Sequence, residues 1–186
     1  MKAVISVPEL NTERLTLKRL AQTDAEGIFA LRSNPDVIRY TGIRQYTSIE
    51  EATAYIARID SALARGESVV WSMRLSANNA FVGSISLWGI TPDGSCAEIG
   101  YDSLLPFHGK GLVGEAAEAV IRYGFYGMGL SRIVADLCTE NVKSVRLLER
   151  NGFQKGSVHT EDDNGQACEM AVYTFERADY EARQQS

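Results

Sequence analysis

The chain reads as a single mixed α/β domain of the α+β type, in which about four helices cover a central, mostly antiparallel sheet of about seven strands. Three observations carry that reading. Three strand-like runs follow one another across two tight polar turns, the pattern of an antiparallel meander. Two helical runs with start signals precede the meander and two follow it. A glycine-rich turn from Pro106 to Gly114 opens one of these helices and is followed by a separate apolar strand, Arg132 to Cys138.

Arg14 to Leu20 alternates as a strand, with Leu15 and Leu17 on one face and Thr16 and Lys18 on the other. Thr23 or Asp24 then caps a helix through Ile28, Phe29 and Leu31, which Asn34-Pro35 ends. Val37 to Thr47 has no period and reads as a loop. Ser48 with Glu51 three residues on forms a capping box, and Ala52, Tyr55, Ile56, Ile59 and Leu63 stripe a helix that runs to Gly66. The meander comprises Ser68 to Leu75, Phe81 to Ile90 and Cys96 to Ser103, joined through Ala77-Asn78-Asn79 and Thr91-Pro92-Asp93-Gly94. After the glycine-turn helix and the Arg132 strand, Asn141 caps a short helix with Val142, Val145 and Leu148 inward, closed by Asn151-Gly152. Two last strands, Phe153 to His159 and Cys168 to Phe175, flank a polar turn from Glu161 to Gly165. The tail after Ala178 reads as frayed or as a short surface helix.

Length and composition bound the function. With 186 residues, 45% of them hydrophobic and 23% charged, the chain suits one globular domain with a substantial core. A net charge of −5 and scattered Lys and Arg argue against a nucleic-acid surface. Cys96, Cys138 and Cys168 are odd in number, far apart and outside any metal-ligand spacing, so they read as reduced core residues of a cytoplasmic protein. The N-terminus is interrupted by Pro8 and Glu9 too early for a signal peptide, and no apolar run nears the ~20 residues of a membrane span.

The glycine turn carries the chemistry. Its backbone N–H groups lack side-chain cover and point outward at the positive end of a helix dipole, which makes an anion site. A triphosphate-binding loop is excluded, because Glu115 and Ala116 stand where lysine and a hydroxyl are needed. Gly109, Gly111 and Gly114 also spell the dinucleotide fingerprint, with Asp136 further along. Context opposes this second reading: Pro106-Phe107-His108 precede the glycines instead of a buried strand, and Asp136 lies inside its run rather than at the end.

Taken together, Glu98-Ile99-Gly100-Tyr101, His108-Gly109-Lys110-Gly111, Glu115-Ala116, Asn141 with Ser144, and Leu148 to Phe153 resemble the GCN5-related N-acetyltransferases, most closely the RimJ/RimL branch. The likeness runs over one domain, residues 10 to 177, leaving 178 to 186 as a tail. The resemblance implies the fold of that superfamily, a sheet split where acetyl-CoA binds, and transfer of acetyl to a primary amine. The acceptor is a protein N-terminus, such as that of a ribosomal protein, or a small molecule. No metal, nucleic acid or membrane is implied, and the chain is a monomer or a homodimer.

Residue by residue, the resemblance places the cofactor's pyrophosphate on His108, Gly109, Lys110, Gly111, Val113 and Gly114. His108 replaces the family's glutamine or arginine, and Val113 replaces a very small residue. Tyr101, Asp102, Ser103 and Leu104 would pair with the pantetheine arm through their backbone. Asn141 would hold that arm by its amide. Ser144 would attend the leaving thiolate, because residues 141 to 151 contain no tyrosine for that role. Glu98 is the candidate base for the ammonium proton, with a cross-sheet pairing as its structural alternative; His159 and Asp102 are further candidates. Asn141 and Ser144 are equally a helix cap and a first-turn residue.

Trp71, Trp88, Tyr40 and Tyr46 are either core or acceptor-pocket aromatics. Cys138 has no histidine partner that suggests a nucleophile. Arg19 follows in phase with Leu15 and Leu17 and would point inward unless the strand end releases it to water. Two other readings stay open, a non-catalytic acyl-CoA sensor and a dinucleotide-dependent oxidoreductase.

Overall fold

The computed structural model describes residues 6–163 and 166–185. The reading of the first residues as lacking a signal peptide falls largely on 1–5, and the tip of the last hairpin on 164–165; both lie outside the described residues.

Eight strands form one sheet in the order β1-β2-β3-β4-β5-β6-β8-β7. They are β1 (Leu10–Asn11), β2 (Leu15–Arg19), β3 (Val69–Leu75), β4 (Phe81–Trp88), β5 (Cys96–Ser103), β6 (Arg132–Cys138), β7 (Gln154–Asp163) and β8 (Gln166–Glu176). Every neighbouring pair is antiparallel except β5 and β6, which run parallel. That pair is also the shortest of the central ones. It holds only from Cys96 opposite Arg132 to Glu98 opposite Val134, and beyond Glu98 the two strands part. β1 is an eighth strand, too short to show alternation in sequence.

Six helices cover the two faces: α1 (Ala25–Arg32), α2 (Pro35–Ile38), α3 (Ile49–Ala64), α4 (Leu112–Arg122), α5 (Val142–Asn151) and α6 (Arg177–Gln184). Strand alternation divides the core between them. Val70 joins Ile28, Leu31 and Ile56 beneath α1 and α3. Its neighbours Val69 and Trp71 join Ala116, Ala117, Val120 and Ile121 of α4, on the opposite face. α3 begins as expected, with the Glu51 carboxylate accepting the Ser48 N–H at 3.2 Å.

Two helices exceed the expected four. α2 is a single turn that begins where Asn34-Pro35 is expected to end the first helix and reaches only the first two residues of the expected loop; Asn34 starts it, its side chain accepting the Asp36 N–H at 3.0 Å, with Pro35 at its first position. α6 occupies the tail, held by Tyr180, which is buried with its ring 5.3 Å from Phe125 and 5.8 Å from Phe175.

The cysteine reading is corrected. Cys138 and Cys168 form a disulfide, and Cys96 alone is free. Thirty residues separate the pair in sequence, but the antiparallel ladder of β6 and β8 sets Cys138 opposite Met170, two residues from Cys168. Three reduced thiols therefore no longer argue for a cytoplasmic location. Arg19 also turns outward at its strand end, where it pairs with Asp60 at 2.6 Å.

Candidate active site

A cleft of about 1040 Å³ opens where β5 and β6 part. Hydrogen-bond parity defines its lips. Leu104 donates its N–H to Val82 on β4, so Asp102 and Gly100 also turn their backbone toward β4, whereas Tyr101 and Ser103 turn theirs toward the gap. On the far lip, Thr139 donates to Glu169 on β8, which leaves the backbone of Asp136 and Cys138 facing the gap. Of the four residues expected to pair with the pantetheine arm, Leu104 therefore has its N–H engaged within the sheet. Asp102 turns its backbone to β4 and its side chain to the α1 and α3 wall of the cleft. Tyr101 presents its backbone edge to the gap, and Ser103 its N–H, because the Ser103 carbonyl oxygen is taken by His108.

The glycine turn follows the end of β5 in the chain. A short 3-10 turn, Leu105–Phe107, carries the chain off β5, and Gly109 and Gly111 follow with φ of +71° and +76°, values that favour glycine. Gly111 is the N-cap of α4, and the first backbone bond of the helix runs from Glu115 N–H to Gly111. The N–H groups of Leu112, Val113 and Gly114 are thus the helix's unpaired donors. A Cβ added at Gly109 or Gly114 would meet nothing within 4 Å, so these donors have open approach.

The side chains around the turn serve it differently. Val113 packs against the core instead of facing the donors. His108 is tied back, with its Nε2 2.8 Å from the Ser103 carbonyl oxygen. Lys110 is exposed near the Phe107 ring. Glu115 holds the start of α4 to the connection between β1 and β2. Its carboxylate takes the Thr12 hydroxyl, the Arg14 N–H at 2.8 Å and the Arg14 guanidinium at 2.7 Å, while Arg14 also donates to the Lys110 carbonyl. Burial pushes this carboxyl up, but those donors outweigh it and hold it below the ordinary value.

Glu98 and Ser144 come to opposite faces of the gap. Glu98 is half-buried at the point of divergence, and burial pushes its carboxyl up to about 7 against the Asp136 N–H that opposes it, with the charges of Asp136 and Glu161 adding to the rise. Ser144 lies in the first turn of α5, whose cap is Asn141; the Asn141 Oδ1 accepts the Ser144 N–H at 3.3 Å. Asn141 both caps the helix and lines the cleft. The Ser144 side chain hydrogen-bonds the Tyr101 hydroxyl, which burial raises to about 12.

Asp102 faces the α1 and α3 side, where it accepts the Ser84 hydroxyl at 2.8 Å and is pushed up by burial, with Ser84 and Arg32 opposing. His159 stands on β7 across from Asp136 at 3.2 Å and Glu161 at 3.6 Å, and these three bring ligand-type atoms within 4.8 Å of one another. Cys138 lines the cleft as half of the disulfide, not as a thiol. Among the aromatic candidates, Trp88 and Tyr40 line the cleft. Trp71 is core, with its indole N–H donated to Pro8, and Tyr46 is buried with its hydroxyl accepting from Arg32. The sequence reading missed the Tyr101 hydroxyl, Tyr55 and Arg32. Tyr101 has a sequence reading only as a backbone position and Tyr55 only as a packing position, Arg32 carries no sequence signal, and only the fold brings the three to one cleft.

Similarity to known proteins agrees with this architecture. A family model described as an acetyltransferase (GNAT) domain matches residues 14–154. An uncharacterised N-acetyltransferase of Bacillus subtilis, YoaA, is 35% identical over 171 residues, covering 90% of this chain and 96% of that one. An uncharacterised N-acetyltransferase of Bacillus licheniformis, p20, is 31% identical, covering 89% and 93%. Among solved structures, RimL, a ribosomal L7/L12 α-N-protein acetyltransferase in complex with coenzyme A, superposes with a TM-score of 0.81 at 22% identity, covering 91% and 97%. Spermidine N-acetyltransferase from Vibrio cholerae, in complex with CoA and spermine, gives 0.80 at 21%, covering 90% and 98%. At those identities the structures establish the fold, while the family model and the close relatives establish that the chain belongs to the GNAT family of N-acetyltransferases.

Proposed function

We propose that the protein transfers acetyl from acetyl-CoA to a primary amine by direct attack within a ternary complex, the acceptor being a small molecule or a protein N-terminus. The observation that carries this is the parting of β5 and β6 after Glu98 and Val134. It leaves backbone donors of β5 unpaired in a cleft that also holds a carboxyl raised to about 7, and the N-terminus of α4 follows the same strand, which supports this reading. In that arrangement the donors of Gly109 to Gly114 hold the pyrophosphate, and the free edge at Tyr101 and Ser103 takes the pantetheine arm as an added strand. The Asn141 amide lies beside that arm.

A backbone N–H on the β5 edge then polarises the thioester carbonyl. The amine must be neutral to attack, and Glu98 takes its proton directly or through a water. As the new C–N bond forms, the C–S bond breaks and the thiolate leaves toward Tyr101 and Ser144. A phenol near 12 is a weaker acid than a thiol of about 8.5, so this pair stabilises the thiolate by hydrogen bonding and does not surrender a proton to it. The attacking nitrogen sheds its surplus proton as the intermediate collapses, that proton ends on the thiolate directly or through water to give CoASH, and the proton first taken by Glu98 is released to solvent.

Isothermal titration with acetyl-CoA, with NADH in parallel, tests the cofactor. Micromolar binding of acetyl-CoA alone, followed by thiol release on adding amines, supports the proposal. Binding of acetyl-CoA without release for any amine favours a non-catalytic sensor, and binding of NADH alone returns the glycine turn to the dinucleotide reading.

A further inference from the structure

The cleft is lined by several carboxylates, with Asp136 and Glu161 acting on Glu98 and with Glu67 and Glu140 also on its wall. Its lining holds two guanidinium groups, Arg32 from α1, which acts on Asp102 further along β5, and Arg39 after α2. Arg32 lies 3.7 Å over the Tyr55 ring and donates to the Tyr46 hydroxyl at 2.9 Å, so it is held in place by stacking. Its Nε is buried and has no hydrogen-bond partner, although such a donor ordinarily finds one. Neither Arg32 nor Arg39 makes an ion pair among the described residues. Asp102, the carboxyl nearest Arg32 in electrostatic effect, is spoken for by Ser84 and discouraged from ionising by burial, so it is a poor counterion.

The structure assigns to Arg32, assisted by Arg39, the recognition of an anionic group on the acceptor, so the substrate is an amine that carries a carboxylate or phosphate at some distance from the reacting nitrogen. The inference rests on the acetyl transfer proposed above and names the class of acceptor. Arg32 acts on Asp102, and Asp102 lies four residues along β5 from Glu98, about 13 Å at strand rise. With the amine drawn in from Glu98 toward the gap, roughly 10 Å separates it from the anion, the length of a short extended peptide. The planar guanidinium suits bidentate capture of either anion. A polyamine would place a second cation against Arg32 and Arg39, which this charge arrangement opposes.

Four amines of one chain length separate these cases: 8-aminooctanoate, 8-aminooctyl phosphate, octylamine and 1,8-diaminooctane, each assayed by thiol release from acetyl-CoA. The carboxylate, the phosphate or both should exceed octylamine and the diamine in kcat/KM by about tenfold, carried by KM, and the better of the two anions identifies the head group. Arg32→Gln should bring the ratio of anionic amine to octylamine close to one, and Arg39→Gln, at an exposed position where the side chain lies over the Tyr40 ring, should cut it a few-fold. Equal turnover of all four, preference for the diamine, or a ratio that survives both substitutions overturns the assignment alone. Transfer to none of the four, with acetyl-CoA bound, overturns the acetyl-transfer proposal and the assignment with it.

Discussion

The Tyr101 hydroxyl on β5 hydrogen-bonds Ser144 in the first turn of α5, across the gap where the sheet opens. Residues 141 to 151 contain no tyrosine, and Tyr101 approaches Ser144 from the strand instead. Because burial raises that phenol to about 12, it stays protonated over the working range and keeps a donor for a developing thiolate. Tyr101→Phe should lower kcat about 10- to 100-fold with little change in the KM of acetyl-CoA. Ser144→Ala should cost less, and the double variant should lose no more than Tyr101→Phe alone, since the two act as one unit. Steady-state kinetics of the three variants decides it.

Glu98 predicts the pH profile. Its carboxyl must be ionised to accept a proton and is held at about 7, so kcat/KM should rise with pH through about 7, and Glu98→Gln should abolish that inflection while lowering the rate. Stability runs the other way. A carboxyl raised from 4.5 in the fold contributes stability that is fully present below 4.5 and is lost as pH rises through about 7. Glu98→Gln should therefore melt higher than the parent at pH 8 and near it at pH 4. A rate profile that keeps its inflection in Glu98→Gln would assign the proton to another group, His159 or Asp102 first.

Gly114 separates stability from binding. Inside α4, replacing glycine by alanine gains up to about 1 kcal/mol of helix propensity, and the added Cβ meets nothing within 4 Å. That open space is where the phosphates are proposed to lie. Gly114→Ala should therefore raise Tm slightly while weakening acetyl-CoA several-fold, and Gly114→Val should weaken it further. Unchanged affinity in both would move the pyrophosphate away from this helix.

The disulfide predicts a thiol count. Unfolded without reductant, the protein should titrate one thiol, Cys96, and after reduction three. Closing a loop of that length is worth about 2–4 kcal/mol, so reduction should lower the urea midpoint without changing the slope greatly. Three thiols before reduction would refute the pairing.

Much of the scaffold was legible because its signals are local. The Ser48 start of α3, the turns of the meander and Gly152 with φ +104° closing α5 each depend on a few adjacent residues, and each lies where the sequence reading put it. α2 escaped because a single turn has no period to detect, and β1 because two residues cannot alternate. Cys138 and Cys168 escaped for a different reason: a ladder between strands, not a spacing, brings them together.

By itself the sequence determined the α+β class, the order of the longer helices and strands, a glycine-rich turn opening α4 and Glu98 on a central strand. Tertiary structure alone decided which backbone groups stay free, by turning Leu104 toward Val82 and Tyr101 toward the gap. It alone raised Glu98, joined Tyr101 to Ser144 and left the Arg32 Nε without a partner. The physical reason is one of range: helix and turn preferences are set within a few residues, whereas burial, hydrogen-bond parity and electrostatic neighbours are properties of segments far apart in the chain.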